Sequence, residues 1–224
     1  MKLYTIRHGE YVYSYDKEGK KLVHFPNSPL SPLGKLQSHQ LAKELKRQNA
    51  EAIDALYTSP YRRVRETAAI LVDELKIPNV IEIDGLKDVF PNSAEGKPFD
   101  ELIAIGADIY AHPLGPTQEP LSHVIERAQA TIQSILTEGQ QKNYRSVGVV
   151  SHGDLICAID WTLKHTVPPS SYSEMKNQFY LQKGEACAYD IDNNLQLRGE
   201  GRIITVEEVK QSTEAFRRSS NLEA

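Results

Sequence analysis

Two cysteines in 224 residues are too few for a disulfide framework or a thiolate metal cluster, and they fit a reducing, cytoplasmic compartment. Basic charge is not in excess either. Lysine and arginine total 26 against 30 acidic residues, a formal charge of −4, whereas a nucleic-acid binder is expected to carry a basic surplus or patch. No apolar run approaches the ~20 residues that span a membrane. Met1-Lys2-Leu3-Tyr4 enters a strand-like run without the layout of a secretory leader. His24, His39, His112, His123 and His165 lack metal-ligand spacing, and no internal repeat is visible. The composition that remains, 40% hydrophobic and 25% charged, is that of an ordinary globular chain long enough for one sizeable core.

Short apolar runs alternate with helical patterns, which predicts an α/β fold: a three-layer α/β/α sandwich with a mostly parallel central sheet. The expected strands are Leu3–Ile6, Ala52–Tyr57, Val80–Ile83 and Val147–Val150, closed by a hairpin of Ala186–Ile191 and Gln196–Ile204 around Asp192-Asn193-Asn194. Ser31-Pro32 and Ser59-Pro60 each read as an N-cap followed by proline at the first helical position. Leu33, Leu36, Leu41 and Leu45 supply the stripe of the first helix, and Val64, Ala68, Leu71 and Leu75 that of the second. Further helices are expected around Phe99–Ile105, from Ser122, and after the fourth strand. Residues 88–120, with five prolines, read as an inserted lid segment. Residues 1–206 form one expected catalytic domain and 207–224 a charged tail.

Three strand ends carry polar groups: Arg7-His8-Gly9, Ser59, and Ser151-His152-Gly153. Parallel strands put their C-terminal ends on one edge of a sheet, where ligands collect, so His8 and His152 are expected to converge. Gly9 lets the chain turn sharply beside a ligand. A neutral imidazole nitrogen is a competent nucleophile near neutral pH, and phosphoryl transfer chiefly needs positioning and positive charge. Arg62, Arg63 and Arg65 sit early in the second helix, where the macrodipole disfavours cations. That placement suits an anion bound at the helix N-terminus. Arg63 and Thr67, four residues apart, share a helix face.

Four blocks occur in order: Arg7-His8-Gly9-Glu10; Pro29-Leu30-Ser31-Pro32-Leu33-Gly34; Ser59-Pro60-Tyr61-Arg62-Arg63 through Thr67-Ala68; and Val150-Ser151-His152-Gly153. Together they resemble the histidine phosphatase superfamily, in its phosphoglycerate-mutase-like branch. The resemblance implies a phosphoric monoester hydrolase in which His8 becomes phosphorylated and Arg7, Arg63 and His152 complete the phosphate pocket. Ser14 stands where the family often places a phosphate-binding asparagine. Asp88, following Leu86-Lys87, stands where the family places its glutamate proton donor, with Asp154 and Glu95 as rival acids. Arginines and imidazoles supply the positive charge, so neither metal nor cofactor is expected. The expected partner is a small phosphorylated metabolite, not nucleic acid or a membrane; the sequence leaves a homodimer open. Mutase-type transfer and a non-catalytic phosphate-binding regulatory module are the alternatives. The mutases resemble Arg-His-Gly-Glu-Ser followed by tryptophan-asparagine, and Tyr11-Val12-Tyr13-Ser14 here favours hydrolysis.

Overall fold

Six strands share one sheet: β1 (Lys2–Arg7), β2 (Ala55–Thr58), β3 (Asn79–Glu82), β4 (Ser146–Ser151), β5 (Ala186–Ile191) and β6 (Leu197–Ile204), in the order β3-β2-β4-β1-β5-β6. The first four are mutually parallel; β5 runs antiparallel to β1, and β6 to β5. The computed structural model describes residues 1–23, 25–48, 52–89, 95–105, 108–112 and 118–206. The tail from 207, His24, and residues 90–94, 106–107 and 113–117 of the expected lid lie outside the described residues.

β2 and β4 are buried along their whole length, because helices cover both faces of the sheet. Such strands read as continuous apolar runs. On one face α1 (Pro32–Arg47) and α2 (Arg62–Leu75) pack Leu41, Leu45, Val64 and Leu71 against Tyr4, Ile6, Leu56 and Val150. On the other, α4 (Leu121–Gln141) and α5 (Gly153–Lys164) bring Val124, Ile132, Leu155 and Ile156 against Leu3, Tyr57, Val147 and Val149. Successive residues of β1 and β4 go to opposite faces, as the period of two requires. Two short helices, α3 (Phe99–Ala104) and α6 (Tyr172–Gln178), complete the described set. No helix among the described residues is long and apolar enough to cross a membrane.

Several local expectations change. Ser31 caps α1 as read, its Oγ accepting from Gly34 N at 3.1 Å, but Leu36 is 43% exposed and leaves the stripe. α2 starts at Arg62 with Tyr61 as its N-cap, so Ser59-Pro60 precedes the helix. The Ser59 hydroxyl is engaged by a histidine instead of capping. The backbone N–H of Arg62 donates to Pro26 O at 3.0 Å, so the loop before α1 takes one of the donors expected to face an anion. The sequence reading missed α6 altogether. Its seven residues are mostly polar and too few to display a period, and its cap, Ser171, is evident only from the Glu174 N–H it accepts at 3.1 Å.

Candidate active site

Because β4 lies between β1 and β2, His152 emerges between His8 and Ser59 at the C-terminal edge. The two imidazole rings stand edge to face with centroids 5.3 Å apart. His8 Nδ1 is 2.7 Å from Gly9 O, which must accept, so the proton sits on Nδ1. Nε2 is thereby left with its lone pair, and Arg63 Nε donates to it at 3.2 Å. Both neighbours select the same tautomer.

Arg63 is the hub. It is fully buried, and every nitrogen of its guanidinium has a partner. Besides His8, Nη2 donates to Asp88 Oδ2 at 2.9 Å and to His152 Nδ1 at 3.1 Å, and Nη1 to Phe25 O at 3.2 Å. With Nδ1 accepting, the neutral His152 ring carries its proton on Nε2 and donates to Ser59 Oγ at 3.0 Å. The 3.3 Å approach of Asp88 Oδ2 to His152 Nδ1 becomes an ion pair when that ring is protonated. Thr67 joins helix to strand: its hydroxyl donates to Arg63 O at 2.9 Å and accepts from Gly9 N at 3.2 Å. A Cβ at Gly9 would lie 2.4 Å from Gly34 O, so only glycine lets α1 approach this turn.

Arg7 reaches the same edge from the end of β1. Its Nη1 donates to Leu181 O at 2.7 Å, its guanidinium lies 4.8 Å over the Tyr180 ring, and its buried Nε has no hydrogen-bond partner among the described residues. A Cβ at Gly153 would come within 2.8 Å of Arg7 Cζ and 2.6 Å of Tyr180 Oη. Glycine there makes room for the Arg7 guanidinium and the Tyr180 ring.

The three acid candidates separate. Asp88 joins the cluster directly, with Oδ1 accepting from Val89 N at 3.1 Å. Asp154, half-buried in the first turn of α5, accepts from Tyr172 Oη at 2.9 Å and Tyr180 Oη at 3.0 Å. Burial, reinforced by the charge of Asp88, pushes its pKa up. Glu95 lies close enough to Tyr61 for its charge to help raise that phenol. Ser14 is not drawn in: its carbonyl accepts from Leu22 N at 2.8 Å, and its hydroxyl makes no hydrogen bond among the described residues.

The sequence reading missed the wall formed before β5. Since β5 is antiparallel to β1, its N-terminal end lies at the C-terminal end of β1, so residues 180–185 border the pocket. Gly184 N is shared between Arg7 O and His8 O at 3.3 Å each. Lys183 Nζ donates to Glu10 Oε2 at 2.9 Å and Tyr13 Oη at 2.6 Å. Burial lowers its pKa to about 8 although Glu10 opposes the shift. That topological rule was the one signal available in the sequence for these residues.

Electrostatics complete the site. Burial first, then the charge of Arg63, that of His152 when its ring is protonated, and that of Arg7, holds the His8 pKa well below the usual 6.5, against the opposing bond to Gly9 O. His8 is therefore neutral and nucleophilic at neutral pH. The sign for stability follows. An unfolded histidine takes up its proton near pH 6.5 and folded His8 only well below it. The unfolded chain binds more protons in that window, so the His8 contribution is intact above about 6.5 and is lost as the pH falls toward the folded pKa. The arrangement is a buried cluster in which a guanidinium faces the unprotonated Nε2 of His8, with a carboxyl beside it: equipment suited to attack on an anionic phosphorus centre.

Known proteins resemble this chain in sequence and in fold. A protein named "Putative phosphoserine phosphatase 2" from Hydrogenobacter thermophilus is 29% identical over 166 residues, covering 70% of this chain and 76% of its own. The alpha-ribazole phosphatase of Shigella flexneri has the same fold, with a TM-score of 0.69 at 23% identity over 92% of this chain and 100% of that one. A phosphoserine phosphatase from Entamoeba histolytica, solved with 3-phosphoglyceric acid, gives 0.66 at 21% identity over 93% and 98%. Residues 3–180 match the histidine phosphatase superfamily (branch 1), a span holding His8, Arg63, Asp88 and His152. The chain belongs to that superfamily and is a phosphatase.

Proposed function

We propose that the protein hydrolyses a small phosphorylated metabolite in two displacements through a phosphohistidine on His8. The observation that carries this reading is the fixed tautomer of His8, with Nδ1–H on Gly9 O and Nε2 facing Arg63. The substrate phosphate takes the guanidinium of Arg63, the ring of His152 and the Nε of Arg7, which has no partner among the described residues. In doing so it competes with Asp88 for Arg63, and the dianion beside the released carboxyl favours its protonated form. His8 Nε2 then attacks phosphorus as the bond to the ester oxygen breaks, and Asp88 gives that oxygen its proton. In the second step Asp88 takes a proton from water, the water oxygen attacks phosphorus, and the bond to His8 breaks. The two buried free thiols, Cys157 and Cys187, support a reducing compartment such as the cytoplasm as the place of reaction.

Stereochemistry tests the reading. Each in-line displacement inverts phosphorus, so hydrolysis of an isotopically chiral phosphorothioate ester in labelled water is expected to proceed with net retention. Net inversion would mean that water attacks the ester directly and His8 is not the nucleophile.

A further inference from the structure

When the substrate phosphate takes Arg63, Asp88 loses its strongest tether at the step in which its carboxyl must be aimed. The loop leading into Asp88 is fixed elsewhere. Three successive carbonyls, Gly85 O, Leu86 O and Lys87 O, are each held by a side chain from another element. Arg127 of α4 donates from Nη1 to Gly85 O and Lys87 O, both at 2.9 Å. Ser151, ending β4, donates from Oγ to Leu86 O at 2.8 Å. Arg127 is itself fixed by a two-point pair with Glu119: Nε to Oε1 at 2.9 Å and Nη2 to Oε2 at 2.7 Å, with side-chain exposures of only 17% and 11%. Gly85 lets α4 come this close, because a Cβ there would lie 2.2 Å from Thr131 Oγ1.

We infer that Arg127, braced by Glu119, is a positioning residue for the proton donor: it holds residues 85–87 so that Asp88 stays aimed at the ester oxygen after substrate displaces it from Arg63. A guanidinium suits the task because its planar fork satisfies two carbonyls and a carboxylate at once, which a lysine ammonium on a flexible stem does not. An ordinary packing role would also use a half-buried ion pair. What marks this one is its target, the backbone on either side of Leu86, immediately before Asp88.

The inference rests on Asp88 as the acid, and the test separates the two. Protonation matters for an alkoxide leaving group and little for nitrophenolate. The ratio kcat/KM reports only steps up to the first irreversible one, here phosphorylation of His8. The measurement is kcat/KM for 4-nitrophenyl phosphate and for the alkyl phosphate that the wild-type protein hydrolyses fastest. The variants are Asp88→Asn, Arg127→Gln and their combination. Misplacing the acid by a fraction of an ångström to an ångström is expected to lower the alkyl ester value in Arg127→Gln by about 10- to 100-fold, and the nitrophenyl value by less than about 3-fold. In the Asp88→Asn background Arg127→Gln is expected to cost nothing more. Equal losses on both esters, an undiminished alkyl value, or a full additional loss on top of Asp88→Asn would overturn the role of Arg127. Equal losses on both esters in Asp88→Asn itself would overturn the acid assignment beneath it. Should Arg127→Gln fail to fold, Arg127→Lys, which keeps the charge and loses the fork, carries the same comparison.

Discussion

Alanine in place of His8 is expected to lower turnover at least ~10⁴-fold while inorganic phosphate still binds. The imidazole supplies the nucleophilic nitrogen of the proposed mechanism, and alanine offers nothing to attack phosphorus. The groups proposed to hold the anion remain: Arg63, His152 and Arg7 are fixed by Asp88, Ser59, Leu181 O and Tyr180, none of which depends on the His8 ring. The substitution strips Arg63 Nε of its acceptor, a buried donor left unmet at a cost of about 1–3 kcal/mol. Steady-state kinetics, calorimetry with phosphate and thermal unfolding read the three quantities. Turnover within tenfold of wild type would remove His8 from the chemistry.

The second large effect belongs to Arg63. Methionine there is expected to lower kcat/KM about 10³-fold, or about 4 kcal/mol of transition-state stabilisation at 1.36 kcal/mol per decade. Stability should fall by about 3–5 kcal/mol, because breaking a buried pair leaves the Asp88 charge without its partner. The two losses have different origins and can be parted. Adding Asp88→Asn removes the stranded charge, so the double variant should regain part of the stability and none of the activity. His8 supplies a third readout. Arg63 is the largest of the charges that depress its pKa, so its titration, followed by imidazole nitrogen NMR, should move up toward 6.5 in Arg63→Met. In the wild-type protein the same signal should stay that of a neutral Nδ1–H ring well below that pH. An unmoved His8 titration would mean that burial, with His152 and Arg7, holds it down without Arg63.

The convergence of His8, Ser59 and His152 was legible because it follows from strand direction. Parallel runs ending in polar residues deliver them to one edge whatever the intervening helices do. Arg63 was legible for a related reason, since a helix that follows β2 starts at that edge. Which atoms meet was not. Ser59 reads as a cap, and only the neighbouring strand, 93 residues further along, shows that its hydroxyl is committed to His152. Asp88 came from family resemblance rather than from any local pattern, and the structure brings it to Arg63 through a loop whose carbonyls are claimed from α4 and β4. The wall before β5 stayed hidden because its contacts with Arg7 and Glu10 span more than 170 residues. The cap of α2 was misread for a competing reason: a Ser-Pro pair satisfies local helix rules, but a buried histidine had prior need of the hydroxyl.

The central claim is a covalent bond between phosphorus and His8 Nε2. Rapid quenching of the wild-type protein during turnover of a ³²P-labelled phosphomonoester tests it most directly. Label that is lost in acid, survives base and maps to the peptide carrying Arg7-His8-Gly9 is the predicted result. Label on another residue, or label that persists in His8→Ala, would contradict it.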